Sequence, residues 1–375
     1  MVVKHLCECV EDGPCPKYRR EMSGRMREIC AGVNVDLGTA AAFREQWAHD
    51  AVVLPSGDRE KLLLRTGQAA GDAVAMTAAI WSLHLAHPGR YETSVESLWP
   101  EVFDHNPDVV SSELLAPDRK QPDGIAVVEM HYPAVRLSNE RGIHFMQGWC
   151  EFLGAALGID VPLLTNRPHL YFDPYDYDLD MVGDYWVVCS GGKSDFTTKL
   201  WGHENYQRVM WLLQGEVQFV QAGRAEDDHP RLSGAEDMVG MTNLRQLFQL
   251  VRRARGVLCG VSLLMHVAAA LEKPAVVVAG GREPVPWNAY PRQQYVHTVG
   301  ALPCSDAQGK IGGACWRYRT VPLGDETSLD DNTCLYPVDG TPRCMRMIKP
   351  IDVATQILRY DAQYRNSRNI LEVGR

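Results

Sequence analysis

Residues 256–281 read GVLCGVSLLMHVAAALEKPAVVVAGG, an apolar run, a helical stretch and a second apolar run. GVLCG (256–260) and AVVVAGG (275–281) are short and glycine-bounded, as expected of buried strands. SLLMHVAAALE (262–272) between them has the length and composition of a helix. A strand, a crossover helix and a further strand are typical of parallel sheets, in which ligands bind at the carboxyl ends of the strands.

The same alternation extends over most of the chain. Further strands are predicted at 51–55, 62–66, 91–97, 124–132, 185–190 and 217–223, and further helices at 17–29, 73–87, 143–157, 204–213, 243–254 and 351–364. A stretch rich in Pro, Asp and Tyr over 158–185 separates two halves of this kind and is predicted to connect them. The chain is therefore predicted to be an α/β protein with two Rossmann-like domains.

The composition is that of a folded globular protein. The chain has 375 residues, enough for two domains of ordinary size, with 45% apolar and 23% charged residues. Its net charge of −9 disfavours an extended phosphate-binding surface and hence nucleic acid as a general partner. The N-terminus has no apolar run of signal-peptide length, and the longest apolar stretch, 257–271, is too short to span a membrane. We therefore expect a cytoplasmic protein without a membrane span.

The stretch RTGQAAGDAVAMTAAI (65–80) joins a predicted strand to a helix through a Gly-Asp turn. Alone, this turn is an ordinary helix cap or a cleft edge with backbone N–H groups and a carboxylate. Strand, Gly-Asp turn and small-residue helix together resemble glycosyltransferase family 9, the heptosyltransferase-like enzymes of GT-B fold. The resemblance implies that Asp72 is the catalytic base, which deprotonates the acceptor hydroxyl for attack on the anomeric carbon with inversion.

A second motif lies in VVCSGGKSDFTTKLW (187–201). GKS suggests a P-loop, but the glycine required five residues before the Gly-Lys pair is Val187, so a kinase or ATPase is disfavoured. The segment resembles the donor-phosphate loop of family 9, including its Lys-x-Trp. The resemblance implies backbone donors at Ser190, Gly191 and Gly192, and a positive charge on Lys199 that neutralises the departing diphosphate.

The helix after residue 260 would direct its N-terminus at the donor diphosphate, which the helix dipole favours. Many members of the family have Asp, a small hydroxyl residue, Gly, two further residues and His at this point. This chain has Val261, Ser262, Leu263 and His266, so Ser262 and His266 are retained as donor-site candidates. The Asp, which in the family helps to hold the sugar, is replaced by Val261, so the identity of the sugar is open.

Two more loops supply candidates. Arg282 and Glu283 in GGREP follow a predicted strand, where they would contact the nucleotide or the sugar hydroxyls, or pair with each other. In MHYPAVRLSNERGIHF (130–145), His131, Ser138 and His144 resemble a subset of the family that includes the autotransporter heptosyltransferases. They are candidates for the acceptor side of the cleft, with structural roles as the alternative.

Eight of the eleven cysteines fall in two clusters, at Cys304, Cys315, Cys334 and Cys344, and at Cys7, Cys9, Cys15 and Cys30. In a reducing compartment such clusters are first read as metal ligands. Four thiolates can close a tetrahedral structural site for zinc or iron. The autotransporter heptosyltransferases have a comparable four-cysteine iron finger, although its spacing differs. We therefore predict structural metal at both clusters.

The resemblance covers about residues 60 to 360. The predicted segments are a Cys-rich knuckle (1–31), an acceptor domain (32–165), a nucleotide-sugar domain (166–350) with a Cys-rich loop (302–346), and a C-terminal helix (351–375) that returns to the first domain. An ADP-sugar is the favoured donor. A protein, a saccharide or a modified DNA base is left open as the acceptor, and so is assembly into a homo-oligomer.

Three alternatives to this function are kept. A GT-B sugar epimerase would use the same cleft without an external acceptor. A glycosyltransferase for a modified pyrimidine in DNA would need a basic acceptor face. A catalytically inactive GT-B module would serve as a metal-stabilised binding protein.

Overall fold

The computed structural model describes residues 59–117, 122–130, 142–173, 184–304, 315, 317–322, 324 and 333–373, with side chains up to residue 363. The predicted helix 17–29, the predicted strand 51–55 and the N-terminal cysteine cluster lie outside these residues, as do His131 and Ser138. The described residues form two parallel sheets with packed helices and a small hairpin. The predicted α/β class is confirmed.

The first sheet is parallel, with strand order β3-β2-β1-β4. Its strands are β1 (Glu60–Thr66), β2 (Tyr91–Ser97), β3 (Ser111–Leu114) and β4 (Ala126–Glu129), and its helices are α1 (Ala70–Ala86) and α2 (Phe145–Leu157), which pack against each other. A 3-10 turn, Pro100–Phe103, follows β2. The first sheet therefore places the start of α1 directly after the carboxyl end of β1.

The second sheet is also parallel, with strand order β10-β9-β8-β5-β6-β7. Its strands are β5 (Tyr185–Cys189), β6 (Gln218–Gln221), β7 (Ala235–Asp237), β8 (Gly256–Gly260), β9 (Ala275–Gly280) and β10 (Gln293–His297). Its helices are α3 (His203–Leu212), α4 (Leu244–Arg253), α5 (Leu263–Ala270) and α6 (Val285–Asn288), and a 3-10 turn covers Thr197–Lys199. In chain order this is the doubly wound order of dinucleotide-binding domains, which reverses between β5 and β8.

The C-terminal part adds a hairpin of β11 (Pro337–Val338) and β12 (Thr341–Pro342), then α7 (Arg343–Arg346) and a long helix α8 (Pro350–Val373). Up to residue 363, α8 packs on the second sheet and α3, with Val353 and Ile357 fully buried there. The Asp361 carboxylate lies 3.1 Å from the Arg255 guanidinium. Up to residue 363 the apolar side chains of this helix and Asp361 thus have their partners around the second sheet, and the return of the helix 351–375 to the first domain stays a prediction.

One apolar core runs through both sheets. Its members include Leu64 and Val74 of the first sheet and its helix, and Val257 and Val267 of the second. Helices α1 and α5 are in contact, so the two sheets are joined at the N-terminal ends of these helices. Of the helices in the described ranges, none combines the length and the apolarity that a membrane span requires.

Candidate active site

The candidate site lies where the strand order of the second sheet reverses. Cys189 of β5 pairs in register with Cys259 of β8, so the loops that leave these two strands start side by side. In a doubly wound sheet this is the crevice in which ligands bind. The loop after β5 carries Lys199, and Ser262 occupies the N-cap position of α5 just after β8.

An ion pair joins the loops that follow β5 and β9. Lys199 Nζ lies 2.9 Å from Glu283 Oε1, and the side chains are 29% and 4% exposed. Trp201 of the Lys-x-Trp motif is fully buried and donates from its indole nitrogen to the carbonyl of Ile348, 3.2 Å away. The tryptophan thus anchors the segment in the core, while the lysine reaches the crevice.

Glu283 is bound from three sides. Arg282 Nη1 pairs with its Oε1, and Asn288 Nδ2 of α6 donates to its Oε2. The predicted alternative that Arg282 and Glu283 pair with each other is therefore present in the structure. Both side chains are buried, so Lys199 is the most exposed charge of this cluster.

Burial and ion pairing shift the pKa values of Lys199 and Glu283 in opposite directions. Burial alone would raise the pKa of Glu283, but Lys199 and Arg282 outweigh it, and the carboxyl pKa is lowered. Burial lowers the pKa of Lys199, an effect that the Glu283 carboxylate opposes. Each charge therefore favours the charged form of the other.

His266 of α5 belongs to a stack of polar rings. Its Nδ1 lies 2.7 Å from the hydroxyl of Tyr290, and His144 packs edge-on against the same tyrosine with ring centroids 4.8 Å apart. Burial lowers the pKa of His266 to about 3 and that of His144 to about 4, so both imidazoles are neutral at pH 7. His144 Nδ1 accepts from the amide of Met146, which caps α2.

Asp72 lies in the first turn of α1, on the opposite side of the crevice. Burial lowers the pKa of Lys199, and the negative charge of Asp72 opposes that shift; burial raises the pKa of Tyr290, and Asp72 adds to that rise. The approach of the two helices depends on Gly71, where a Cβ would lie 3.1 Å from the His266 ring and 3.3 Å from Leu263 Cα. The structure thus brings Asp72 of the first sheet and Lys199 of the second to one cleft.

The Gly-Gly turn after β5 is covered by another loop. Gly192 and Asp228 exchange two backbone hydrogen bonds, each 3.2 Å, and a Cβ on Gly191 would overlap the Asp228 carbonyl. Ser190 Oγ accepts from Gln221, 3.2 Å away. The Gly192 amide, predicted as a phosphate donor, therefore has a protein partner in this structure.

The four C-terminal cysteines line one small cavity of about 20 Å³, here called the thiol cavity. Thr198, Arg282 and Arg317 also contribute to its wall. Burial raises the pKa of Cys344 to about 11, and the other three thiols add to this rise. Over the described residues, however, no three or more His, Cys, Asp or Glu side chains are grouped closely enough to hold a metal ion as they stand.

Sequence reasoning missed several residues of this site. Asn288 and Tyr290 lie in PVPWNAYP, directly after the predicted GGREP loop, but nothing local marks them as partners of Glu283 and His266. Asp228 lies in an acidic loop whose contact with Gly192 is purely tertiary. The sequence feature that could have identified these residues is a polar side chain shortly after the carboxyl end of a strand.

Comparison with known proteins agrees with this geometry. Residues 128–312 match the sequence model of glycosyltransferase family 9 (heptosyltransferase). No curated protein matches the chain.

Solved structures match over most of the chain at low sequence identity. The iron-containing dodecameric glycosyltransferase TibC of enterotoxigenic E. coli H10407 is 18% identical, over 83% of this chain and 78% of that one, with a TM-score of 0.57. Its complex with ADP-D-β-D-heptose gives 17% identity, the same coverage and a TM-score of 0.56.

Two further structures share the fold. The family 9 glycosyltransferase of Veillonella parvula DSM 2008 is 14% identical over 81% of this chain and 97% of that one, with a TM-score of 0.55. E. coli ADP-heptose LPS heptosyltransferase II is 15% identical over 82% and 99%, with a TM-score of 0.52.

Two Rossmann-like sheets on either side of a cleft are the architecture of the GT-B fold, which the matched glycosyltransferase structures share. The match to the sequence model of family 9 narrows the class of protein further. The chain is a heptosyltransferase-like glycosyltransferase, and residues 128–312 are the part that matches family 9.

Proposed function

We propose that this chain is an inverting glycosyltransferase that moves a heptose or related sugar from an ADP-sugar to an acceptor hydroxyl. The observation that carries the proposal is the position of Lys199, at the switch point of the second sheet and within electrostatic reach of Asp72 on the first. A cation on one side and a carboxylate on the other are what diphosphate departure and hydroxyl deprotonation require.

On the donor side, the diphosphate would lie between Lys199 and the N-terminus of α5. Lys199 neutralises the charge that develops on the leaving group, and the free amides at the start of the helix favour an anion. Glu283, itself paired with Arg282, holds the Lys199 side chain in place. Ser262 and His266, at the start and on the second turn of α5, are proposed to contact the donor's phosphate or sugar.

On the acceptor side, Asp72 would take the proton of the attacking hydroxyl. The oxygen then attacks the anomeric carbon from the face opposite the diphosphate, which inverts that carbon as the bond to the nucleotide breaks. Asp72 lies in the first turn of α1, where the helix dipole interacts favourably with a negative charge.

ADP is proposed as the nucleotide because the TibC structure of the same fold contains ADP-D-β-D-heptose. The sugar is open, since Val261 replaces the family's Asp. A screen by thermal shift and calorimetry against ADP-, UDP-, GDP- and CDP-sugars tests the donor. We expect selective stabilisation by one nucleotide that is lost in Lys199→Ala.

The same screen separates the alternatives. Isomerisation or hydrolysis of the donor without an acceptor would identify an epimerase, and transfer to hydroxymethylated DNA a DNA-base glycosyltransferase. No stabilisation by any of the four would indicate an inactive binding module. Protein and saccharide acceptors are distinguished by which product gains the mass of the sugar. Homo-oligomerisation, a property of the dodecameric TibC, is tested here by light scattering.

We further propose that Cys304, Cys315, Cys334 and Cys344 close around one structural zinc or iron ion. Four thiols that line one cavity supply a suitable donor set, and their side chains would rearrange into a tetrahedron around the ion. Elemental analysis should find one metal per chain at this cluster, lost in Cys334→Ser. A second equivalent would support the predicted N-terminal site. Metal retained in Cys334→Ser would contradict the ligand set.

A further inference from the structure

Three segments that are distant in sequence meet at one backbone carbonyl. The Arg317 oxygen accepts from Thr198 Oγ1 at 2.5 Å and from Arg282 Nε at 3.0 Å. Thr198 immediately precedes Lys199, and Arg282 immediately precedes Glu283. Each member of the Lys199–Glu283 ion pair is therefore preceded in sequence by a residue that donates to the Arg317 carbonyl of the Cys-rich loop.

Aromatic side chains close the same junction. The Thr198 amide donates to the carbonyl of Tyr318 at 3.0 Å. The Arg282 guanidinium lies 5.2 Å from the Tyr318 ring and 5.6 Å from that of Phe196, and Lys199 Nζ lies 5.8 Å from the Phe196 ring. Cation–π contacts at these distances hold the charged groups in place.

The far side of this junction faces the thiol cavity. Thr198, Arg282 and Arg317 line that cavity together with the four cysteines. Arg317 Nη1 donates to the carbonyl of Thr333, 2.6 Å away, immediately before Cys334. The residues that position Lys199 are thus also wall residues of the four-cysteine cluster.

We propose that Thr198 is a positioning residue for Lys199, and that through the Arg317 carbonyl the four-cysteine loop sets where the Lys199 ammonium meets the donor. The inference rests on the proposed donor role of Lys199. The turn Thr197–Lys199 is a single turn of 3-10 helix, too short to fix its own orientation. Its contacts with Arg317 and Tyr318 supply that orientation.

The test is calorimetric binding of ADP, UDP, GDP and CDP to the full-length protein. Thr198→Val removes the hydroxyl but keeps the shape, and we expect it to weaken binding of the recognised diphosphate by about tenfold, the effect of one hydrogen bond. Thr198→Ser restores the hydroxyl and should bind within about twofold of the wild type. Thr355→Val is the matched control, because it removes a similar hydroxyl–carbonyl bond, to Ile351, on the exposed face of α8.

A double-mutant cycle separates positioning from general stability. If Thr198 acts through Lys199, adding Thr198→Val to Lys199→Ala should weaken binding no further. A second tenfold loss in that background, or wild-type affinity in Thr198→Val, would overturn the inference. If the wild type binds none of the four diphosphates, the proposed function fails together with the inference. If only Lys199→Ala weakens binding, the inference alone fails.

Hydrogen exchange tests the same coupling should Thr198→Val not fold. In Cys334→Ser, the amides of residues 196–200 should exchange about tenfold faster than in the wild type, because their contacts with residues 317–318 loosen. Exchange in α4 should stay unchanged and serves as the internal control. Unchanged protection at 196–200 would show that the four-cysteine loop does not position Lys199.

Discussion

Lys199 Nζ lies 2.9 Å from Glu283 Oε1, so the cation expected to meet the donor diphosphate is already paired in the free protein. Arg282 and Asn288 hold the same carboxylate, which cannot follow the lysine far. An entering diphosphate therefore shares the ammonium with Glu283. The Glu283 carboxylate opposes the lowering of the Lys199 pKa that burial causes.

Lys199→Ala should weaken donor binding by about 10- to 100-fold, which corresponds to the loss of one charge-assisted hydrogen bond. Calorimetric titration with the nucleotide sugar measures this. Lys193→Ala, an exposed lysine of the same loop, is the matched control and should bind like the wild type. Equal affinities for both variants would remove Lys199 from the donor site.

Asp72→Asn keeps the shape of the side chain but removes the base. Turnover should fall by about 10²- to 10⁴-fold, while donor affinity stays within about threefold. Mass spectrometry of the acceptor product and calorimetry measure the two quantities separately. Asp123→Asn, at an exposed position of the first domain, should leave both unchanged. Full turnover in Asp72→Asn would exclude Asp72 as the base.

Tyr290→Phe removes the hydroxyl that lies 2.7 Å from His266 Nδ1. Because a buried ring nitrogen then loses its partner, the free energy of unfolding should fall by about 1–3 kcal/mol. Urea denaturation measures it. Tyr336→Phe, at an exposed tyrosine, should change stability by less than about 0.5 kcal/mol.

Stability should decrease as the pH falls from about 6.5 to 4.5. In the folded protein burial lowers the pKa of His266 to about 3 and that of His144 to about 4, whereas the ordinary value is 6.5. The unfolded chain therefore binds more protons in this window, and unfolding becomes easier by up to about 1.4 kcal/mol per pH unit for each histidine.

Urea titrations at several pH values measure this slope. His144→Asn keeps a helix-capping side chain and should reduce the slope by about half. A slope that is unchanged in this variant would mean that His144 is protonated in the folded protein. Glu283, whose pKa is lowered, loses its contribution only below about pH 4.5, outside the window.

Asp361→Ala should destabilise the protein by about 3–5 kcal/mol, because it leaves the buried Arg255 guanidinium without this carboxylate. It also removes the acceptor of the Trp186 indole, 3.2 Å away. Thermal and urea unfolding measure the loss. Asp352→Ala, at an exposed position of the same helix, is the control and should have little effect.

The sequence predicted the buried elements well, because apolar runs such as 185–190, 256–260 and 275–281 have few alternatives to a central strand. It missed β3, β7 and β10, which are partly exposed edge or near-edge strands with polar residues. Their strand conformation is set by pairing with a neighbour rather than by their own composition. The packing of α8 on the second sheet up to residue 363 was not predicted, because the sequence does not show which surface an apolar helix face will meet.

The candidate site was predicted as single residues rather than as a network. Lys199 and Glu283 were each predicted as site residues in a loop that follows the carboxyl end of a strand. Their ion pair was not predicted, because it joins residues 84 positions apart. The backbone pairing of Gly192 with Asp228 was not predictable, because it depends on the tertiary position of the loop around Asp228.

The anchoring of α8 on the second sheet makes that domain a continuous stretch of polypeptide. From residue 184 to residue 363, the described strands belong to the second sheet or to the small hairpin, and α3 and α8 complete one apolar cluster with that sheet. The other apolar cluster is shared with the first sheet, through the contact of α5 with α1. A fragment starting at residue 184 would therefore expose the side of α5 that faces α1, and we expect it to unfold at a lower urea concentration than the full chain.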